Sequence, residues 1–306
     1  MKFNQYIWNL YKQAPIGEKM IKYFSDVEGY DLFKRYCPHG NFIPQDLYND
    51  WLEDIYCYGV SEYDNPVSLD EAKDLYVSLI TLGIRVEGRQ WIPANDFKNM
   101  LEIIQPMSYI LSQFAPEYFF PYLFLCRIFE LNQIADFFDI DLPGIPKKTD
   151  YEGRCMYYWG LCETFYEFRK KNGLSSTELC AFLYDFAFNI LEKERGDIPQ
   201  PAQAWFIGGL MYPEDLVLEM KFWQSNQETK RGDILVHYET LPVSAISCVE
   251  IALTNGVVDP LFRFYSNTYI GNRVDIPRIA LKELQADEYF SKPVSYTHLT
   301  LPTNRE

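Results

Sequence analysis

The chain has 306 residues, of which 48% are apolar, and its 43 acidic against 28 basic side chains give a net charge of −15. This length exceeds the usual size of one domain, so we expect two domains with packed cores. The acidic balance excludes a protein that coats nucleic acid through bulk positive charge. No window is as long and apolar as the roughly 18 residues that a membrane-spanning helix needs, which excludes that class as well.

Apolar residues recur with helical spacing from the start of the chain to about Glu194, and this predicts a bundle of about eight helices. Asn95 or Asp96 is the predicted N-cap of one of them. Another is the amphipathic segment 157–168, whose aromatic side chains repeat opposite charged ones. Most of the aromatic excess is therefore expected to be core packing.

Two capping boxes mark further helix starts, one formed by Ser68 with Glu71 and the other by Ser175 with Glu178. In this motif the hydroxyl and the carboxylate three residues later each bond the other's backbone N–H group. Helices are therefore predicted over 69–83 and 176–193.

The hydrophobic period changes from helical to alternating after the charged, proline-bearing stretch 193–201. We place the domain boundary there, with a mainly helical domain over 1–197 and a compact β-rich domain over 198–292. The predicted fold class is α+β. Strands rich in Ile, Val, Phe and Tyr are predicted over 204–208, 233–240, 245–254 and 261–270, followed by a short helix over 281–290.

Four segments of the second domain stand out in order along the chain: AWFIGG (204–209), FWQSN (222–226), KRGDILVHY (230–238) and IPRIALKEL (276–284). Together they resemble the EVE/YTH group of PUA-like domains. The resemblance implies a small closed β-barrel that binds a modified or unpaired base in an aromatic pocket. Alternation along the strand that begins in the third segment puts Ile234, Val236 and Tyr238 on one face. Leu235, His237 and Glu239 lie on the other, so both faces carry apolar groups, as a barrel requires.

The resemblance also implies which residues form the base-binding pocket: Trp205, Trp223, Ser225, Asn226 and Tyr238. The two tryptophans would stack on the base while Ser225 and Asn226 hydrogen-bond its edge, which suits a base taken out of its stack. The alternative is that both tryptophans belong to the barrel core, since large aromatic side chains are mostly buried structure.

Basic residues of the second domain are candidates for phosphate contact, because a few positioning cations suffice where the base supplies discrimination. These candidates are Lys230, Arg231, Arg263, Arg273 and Arg278. The alternative is a solvated surface. Acidic residues outnumber basic ones in this domain, so any contact with nucleic acid must be local.

No catalytic residue, cofactor or metal site is predicted. The chain has 3 histidines, no phosphate-binding glycine loop and no His or Cys spacing typical of zinc. Cys37 and His39 are separated only by Pro38, and such closeness in sequence seldom gives the geometry of a reactive pair. The 7 cysteines form no Cys-x-x-Cys pair and no apolar signal segment precedes them, so a reducing, cytoplasmic environment is expected.

The last stretch, 293–306, resembles a translated sequencing adapter, and we expect it to be a non-native tail on a truncated chain. EVE-like domains accompany restriction machinery, so the resemblance implies a bacterial defence protein that reads a modified base in DNA, with RNA as the second choice. The resemblance further implies an AAA+ motor domain that once followed residue 292 in the same chain, and a nuclease or motor protein as partner. The alternative function is an acidic protein-interaction scaffold with a degenerate PUA-like domain. The oligomeric state is left open.

Overall fold

The computed structural model describes residues 3–36, 45–46, 48–50, 53, 66–86, 89–125, 127–191, 198–209 and 220–287. Two compact units are present. The helical unit comprises Met1–Lys193 with Pro260–Arg263, and the β unit comprises Glu194–Asp259 with Phe264–Glu306. The predicted α+β class is confirmed. The tail 293–306 and the Cys37 and His39 pair lie outside the described residues.

The helical unit is built from helices over most of its described length, and none of these helices has the length and apolar content that crossing a bilayer requires. The helices are α1 (Gln5–Gln13), α2 (Pro15–Asp26), α3 (Gly29–Tyr36), α4 (Leu69–Leu82), α5 (Phe97–Met100), α6 (Ile104–Phe114), α7 (Ile128–Phe138), α8 (Tyr151–Asn172), α9 (Ser176–Ala181) and α10 (Ala187–Ile190). A short antiparallel pair that the sequence did not predict, β1 (Ile84–Val86) and β2 (Arg89–Ile92), follows α4.

The predicted caps start helices in the structure. Ser68 Oγ accepts the Glu71 N–H at 3.2 Å at the start of α4. Ser175 and Glu178 form the complete reciprocal box, with N to O distances of 2.9 and 3.1 Å. Asp96, not Asn95, caps α5 by accepting the Asn99 N–H at 3.3 Å. Local hydrogen bonding therefore determines where these helices begin.

The helix predicted over 176–193 is not one regular α-helix. After α9 the chain passes through a π-helical turn, Phe182–Phe186, before α10 begins. The Phe182 and Phe186 rings both pack against Trp8, with ring centroids 6.1 and 5.3 Å away. Trp8 is fully buried, so this aromatic cluster forms part of the core of the helical unit.

The β unit contains a six-stranded mixed sheet with the order β3-β5-β6-β8-β4, in which β7 also pairs with β8. Its elements are β3 (Ala204–Gly209), β4 (Met220–Gln224), β5 (Ile234–Glu239), β6 (Ala245–Ala252), β7 (Val257–Val258), β8 (Ser266–Ala280) and the helix α11 (Leu281–Ala286). The β3 and β5 strands are parallel and the other pairs are antiparallel.

The predicted closed barrel is not what the described strands form, because the sheet is open. The edge strands β3 and β4 nevertheless approach each other. The Gln224 side chain donates from Nε2 to the Gly208 carbonyl at 2.5 Å. A side-chain contact therefore joins the two edges where a barrel would have a ladder of backbone hydrogen bonds.

The inner face of this curled sheet carries the core of the β unit. Its buried members are Trp205, Ile207, Leu235, Ala252 and Ile270, with Trp223 packed against them. Leu235 lies directly opposite Trp205, which places these side chains on one face of β3 and β5.

The strand predicted over 261–270 begins later, at Ser266. Residues 260–263 belong instead to the helical unit. The buried Arg154 guanidinium of α8 explains the difference, since it donates to the Pro260 carbonyl at 2.8 Å and to the Phe262 carbonyl at 2.7 Å. These carbonyls are therefore bonded to a side chain instead of a neighbouring strand.

Candidate functional site

Trp223 is the predicted pocket residue that the structure places on the inner face with part of its surface exposed. It is half-buried and packs against the core cluster. Its ring meets the His237 ring edge to face, with centroids 5.2 Å apart and an interplanar angle of 66°. A Cβ on Gly209 would lie 2.7 Å from Trp223 Cζ2, so the glycine is what lets the indole approach β3 closely.

Trp205, the second predicted stacking residue, is a core side chain. It is 4% exposed, and its Nε1 donates to Asp233 Oδ2 at 2.9 Å. Neither a face of the ring nor the indole N–H is available to a base in this arrangement. The structure therefore favours the core interpretation for Trp205.

Asp233 is the buried carboxylate that receives the Trp205 N–H. It also accepts the Lys230 backbone N–H at 2.8 Å and the Gln203 side-chain amide at 3.0 Å. Burial by itself raises the pKa of Asp233, but the hydrogen bonds from Lys230, Trp205 and Gln203 together outweigh it and leave the pKa below its ordinary value. Asp233 is thus an ionised structural anchor for the start of β5.

Ser225 and Asn226 follow β4 directly and form a tight turn. The Ser225 backbone N–H donates to the Ser266 carbonyl at 3.1 Å. Asn226 Oδ1 accepts the Glu228 N–H at 2.9 Å, which is the hydrogen bond of an Asx-turn. The side-chain oxygen of Asn226 is therefore engaged in the turn, whereas the Ser225 hydroxyl is buried and meets no hydrogen-bond partner among the described residues.

Two further polar side chains near the turn after β4 also have an atom without a hydrogen-bond partner among the described residues. The described residues supply no partner to Thr229 Oγ1 or to Asn267 Nδ2, and both residues are buried. Their backbones belong to the same turn and strand pair, since the Thr229 N–H donates to Asn226 and Asn267 lies opposite Gln224. Buried polar groups normally have partners, so such a group of them marks a place for a polar ligand or water.

Tyr238, the last predicted pocket residue, is not brought together with the tryptophans. It is half-buried on β5, next to the buried His237. Because successive strand residues point to opposite faces, Tyr238 lies on the outer face of the sheet. The predicted pocket thus reduces to Trp223 with the turn that follows it.

The five cations predicted to contact phosphates do not belong to one element, and four of them lie in the β unit. Lys230 is exposed in the turn before β5 and Arg231 follows it, with its backbone N–H bonded to Asn255. Arg273 forms an ion pair with Asp275 at 2.7 Å on the far part of β8, where Arg278 is exposed. In the helical unit, Arg263 Nη1 lies 3.0 Å from Glu102 Oε1. Lys230 and Arg231 are therefore the candidates closest in sequence to the Trp223 turn.

A group of potential metal ligands that the sequence did not predict lies on the inner face of the same sheet. It consists of His237, Cys248 and Glu250, whose ligand atoms all lie within 4.8 Å of one another. His237 pairs directly with Cys248 across β5 and β6, and Glu250 is two residues further along β6. The sequence places Cys248 and Glu250 on the same face of a predicted strand. That His237 lies beside them depends on the register of β5 against β6, which the sequence pattern does not determine.

No family model matches this chain, and comparison with curated proteins and with solved structures found no match either. The resemblance to EVE/YTH domains therefore rests on the four sequence segments alone. What the site does has to be argued from its own geometry and chemistry.

Proposed function

We propose that the β unit binds a modified base, in DNA before RNA, at the half-buried indole of Trp223. The observation that carries this proposal is the position of Trp223, on the inner face of the sheet and packed on one side against Gly209 and His237. An aromatic ring supported in this way is a stacking platform, because its orientation is fixed before the base arrives.

The turn after β4 supplies polar groups for such a base. The Ser225 hydroxyl is such a group, because it has no hydrogen-bond partner among the described residues and Ser225 itself is only partly buried, two positions after Trp223. Hydrogen bonds to a base edge are what distinguish one base from another, whereas stacking tolerates any base. The combination is therefore suited to selective binding of a single unstacked base.

Lys230 and Arg231 are the phosphate contacts in this proposal. They follow the Trp223 turn directly in sequence and precede β5. Because the unit is acidic overall, two local cations position the backbone only weakly, and binding should fall as salt screens them.

The experiment is a titration of fluorescently labelled single-stranded oligonucleotides with the full chain at low and moderate salt. The oligonucleotides are plain or carry methylated cytosine, hydroxymethylated cytosine or methylated adenine. Stacking contributes about 1–3 kcal/mol per base, so Trp223→Leu should weaken binding of the preferred oligonucleotide by about 5-fold to 150-fold. The same substitution should remove the preference for the modified base.

Tyr238→Leu is the matched control, since Tyr238 is a half-buried aromatic side chain on the outer face of another strand of the same sheet, β5. This variant should keep both affinity and preference. Equal losses in the two variants would show a general effect on the fold, and an unchanged preference in Trp223→Leu would refute the assignment.

A protein-interaction scaffold is the second candidate function. The net charge of −15 favours it, as do the ion pairs that already occupy Arg263 and Arg273. Absence of binding to every oligonucleotide, together with salt-sensitive binding to a basic protein, would support the scaffold in place of the reader.

A further inference from the structure

The inner face of the β unit contains three buried side chains of metal-binding type, at positions where the strand pairing is irregular. His237, Cys248 and Glu250 are 1%, 0% and 2% exposed. The pairing is irregular beside each of them, with register shifts between His237 and Tyr238 on β5 and on both sides of the 248–249 pair on β6. Such bulges re-aim side chains and are frequent next to functional sites.

We propose that His237, Cys248 and Glu250 form a binding site for a divalent transition metal ion of the zinc class. Imidazole nitrogen, thiolate sulfur and carboxylate oxygen are the three donor types that zinc uses. A thiolate and a carboxylate together carry two negative charges, which a divalent ion neutralises in a place where an unbalanced charge would be costly. A magnesium ion fits this set poorly, since it prefers oxygen donors and retains its waters.

Two of the three donor atoms already face each other. His237 Nε2 lies 2.5 Å from Glu250 Oε2. An ion would bind Cys248 and Glu250 in their thiolate and carboxylate forms, so any protons these groups hold pass to solvent and no electron is transferred.

The geometry requires a small local adjustment when the ion binds. A tetrahedral ion with nitrogen and oxygen ligands at about 2.0–2.1 Å holds those two donors about 3.3 Å apart. The contact between His237 and Glu250 must therefore open by about 0.8 Å from its present 2.5 Å. Three protein ligands leave one coordination position for water or a small anion.

The test uses the full chain without nucleic acid, so its outcome does not depend on base binding. Cobalt(II) replaces zinc as a spectroscopic probe, since thiolate ligation gives an intense near-ultraviolet charge-transfer band and tetrahedral coordination gives strong visible bands. We expect both bands to saturate at one equivalent of cobalt, zinc to abolish them by competition, and a chelator to reverse the binding.

The ligand variants give the expected losses. Removing a partner outside the ligand shell already costs about 10–100-fold in metal affinity, so Glu250→Gln and His237→Asn should each lose more than about 100-fold. Cys248→Ser should lose the charge-transfer band altogether.

The control is Cys180→Ser, in the helical unit. Burial raises the pKa of the Cys180 thiol to about 12, so this cysteine provides no thiolate at neutral pH and its replacement should leave the cobalt spectrum unchanged. A folded wild-type chain that shows no thiolate band on cobalt addition would overturn the proposal. So would a band that survives in Cys248→Ser or disappears in Cys180→Ser.

Discussion

Asp233→Ala tests whether the β unit depends on one buried carboxylate. Asp233 is 0% exposed and accepts hydrogen bonds from Trp205 Nε1, Gln203 and the Lys230 backbone. Alanine removes the carboxylate, so all of these donors lose their acceptor at once. The Gln203 side chain is half-buried and can turn toward water, whereas the Trp205 N–H is enclosed in the core.

The magnitude follows from the buried Trp205 donor and from the hydrogen bond between the Lys230 backbone N–H and the charged carboxylate. Leaving the buried Trp205 N–H without an acceptor costs about 1–3 kcal/mol, and a hydrogen bond to a charged acceptor such as the one from Lys230 contributes about 1.5–3 kcal/mol. We therefore expect the free energy of unfolding of the β unit to fall by about 3–5 kcal/mol. That is a large part of the stability of an ordinary domain.

Hydrogen exchange measured by mass spectrometry is the appropriate assay, because it reports the opening free energy of β3 and β5 separately from the helices. The expected loss corresponds to exchange that is faster by about 100-fold or more. Asp275→Ala is the matched control. Its carboxylate is exposed and pairs with Arg273 at 2.7 Å, so its removal should change exchange by less than about 5-fold.

An Asp233→Ala variant whose β3 and β5 amides exchange within about 5-fold of wild type would refute this reasoning. A stronger form of the test adds Trp205→Phe, which removes the indole donor. In the Trp205→Phe background, Asp233→Ala should lower the free energy of unfolding by less, since the indole N–H that would lose its acceptor is already absent.

Three further outcomes are expected. The pKa of Asp233 is lower in the folded state than its unfolded-state value of about 3.9. The stability that the ionised carboxylate adds is therefore fully present above about pH 3.9 and is lost as the pH falls through the folded-state pKa. Acid denaturation of the β unit should consequently be less steep in Asp233→Asn. Ser175→Ala breaks the reciprocal capping box and should lower the thermal stability of the helical unit by about 1 kcal/mol, measured by circular dichroism; an unchanged melting temperature would contradict the cap. Gly209→Ala forces a methyl group to within 2.7 Å of the Trp223 ring and should destabilise the β unit by about 1–3 kcal/mol in urea unfolding. At Gly144 an added methyl meets nothing within 4 Å, so Gly144→Ala should unfold like wild type.

Features that depend on neighbours in sequence could be predicted well. The Ser175 and Glu178 box is closed within four residues, and the alternation of β5 follows from single-residue periodicity. The α4 helix, expected over 69–83, extends over Leu69–Leu82. In each of these cases the stabilising contacts lie within one turn or one strand.

Features that depend on distant partners could not be predicted. The late start of β8 results from Arg154, more than 100 residues earlier, whose guanidinium binds two carbonyls of the preceding segment. Openness of the sheet depends on which strands pair at its edges. The cluster of His237, Cys248 and Glu250 depends on the register of β5 against β6, which hydrophobic alternation alone does not determine.

The π-helical turn Phe182–Phe186 has a consequence for how this chain can vary. Its hydrogen bonds span five residues where an α-helix spans four, so it accommodates one residue more than a regular helix of the same rise. Deleting one residue there would restore an ordinary helix in which the flanking helices keep their faces, whereas side chains of the turn itself would change direction by up to about 100°. Asp185, which accepts the Tyr11 hydroxyl at 2.7 Å, would then face elsewhere. Relatives of this protein should therefore keep the length of this segment even where its residues differ.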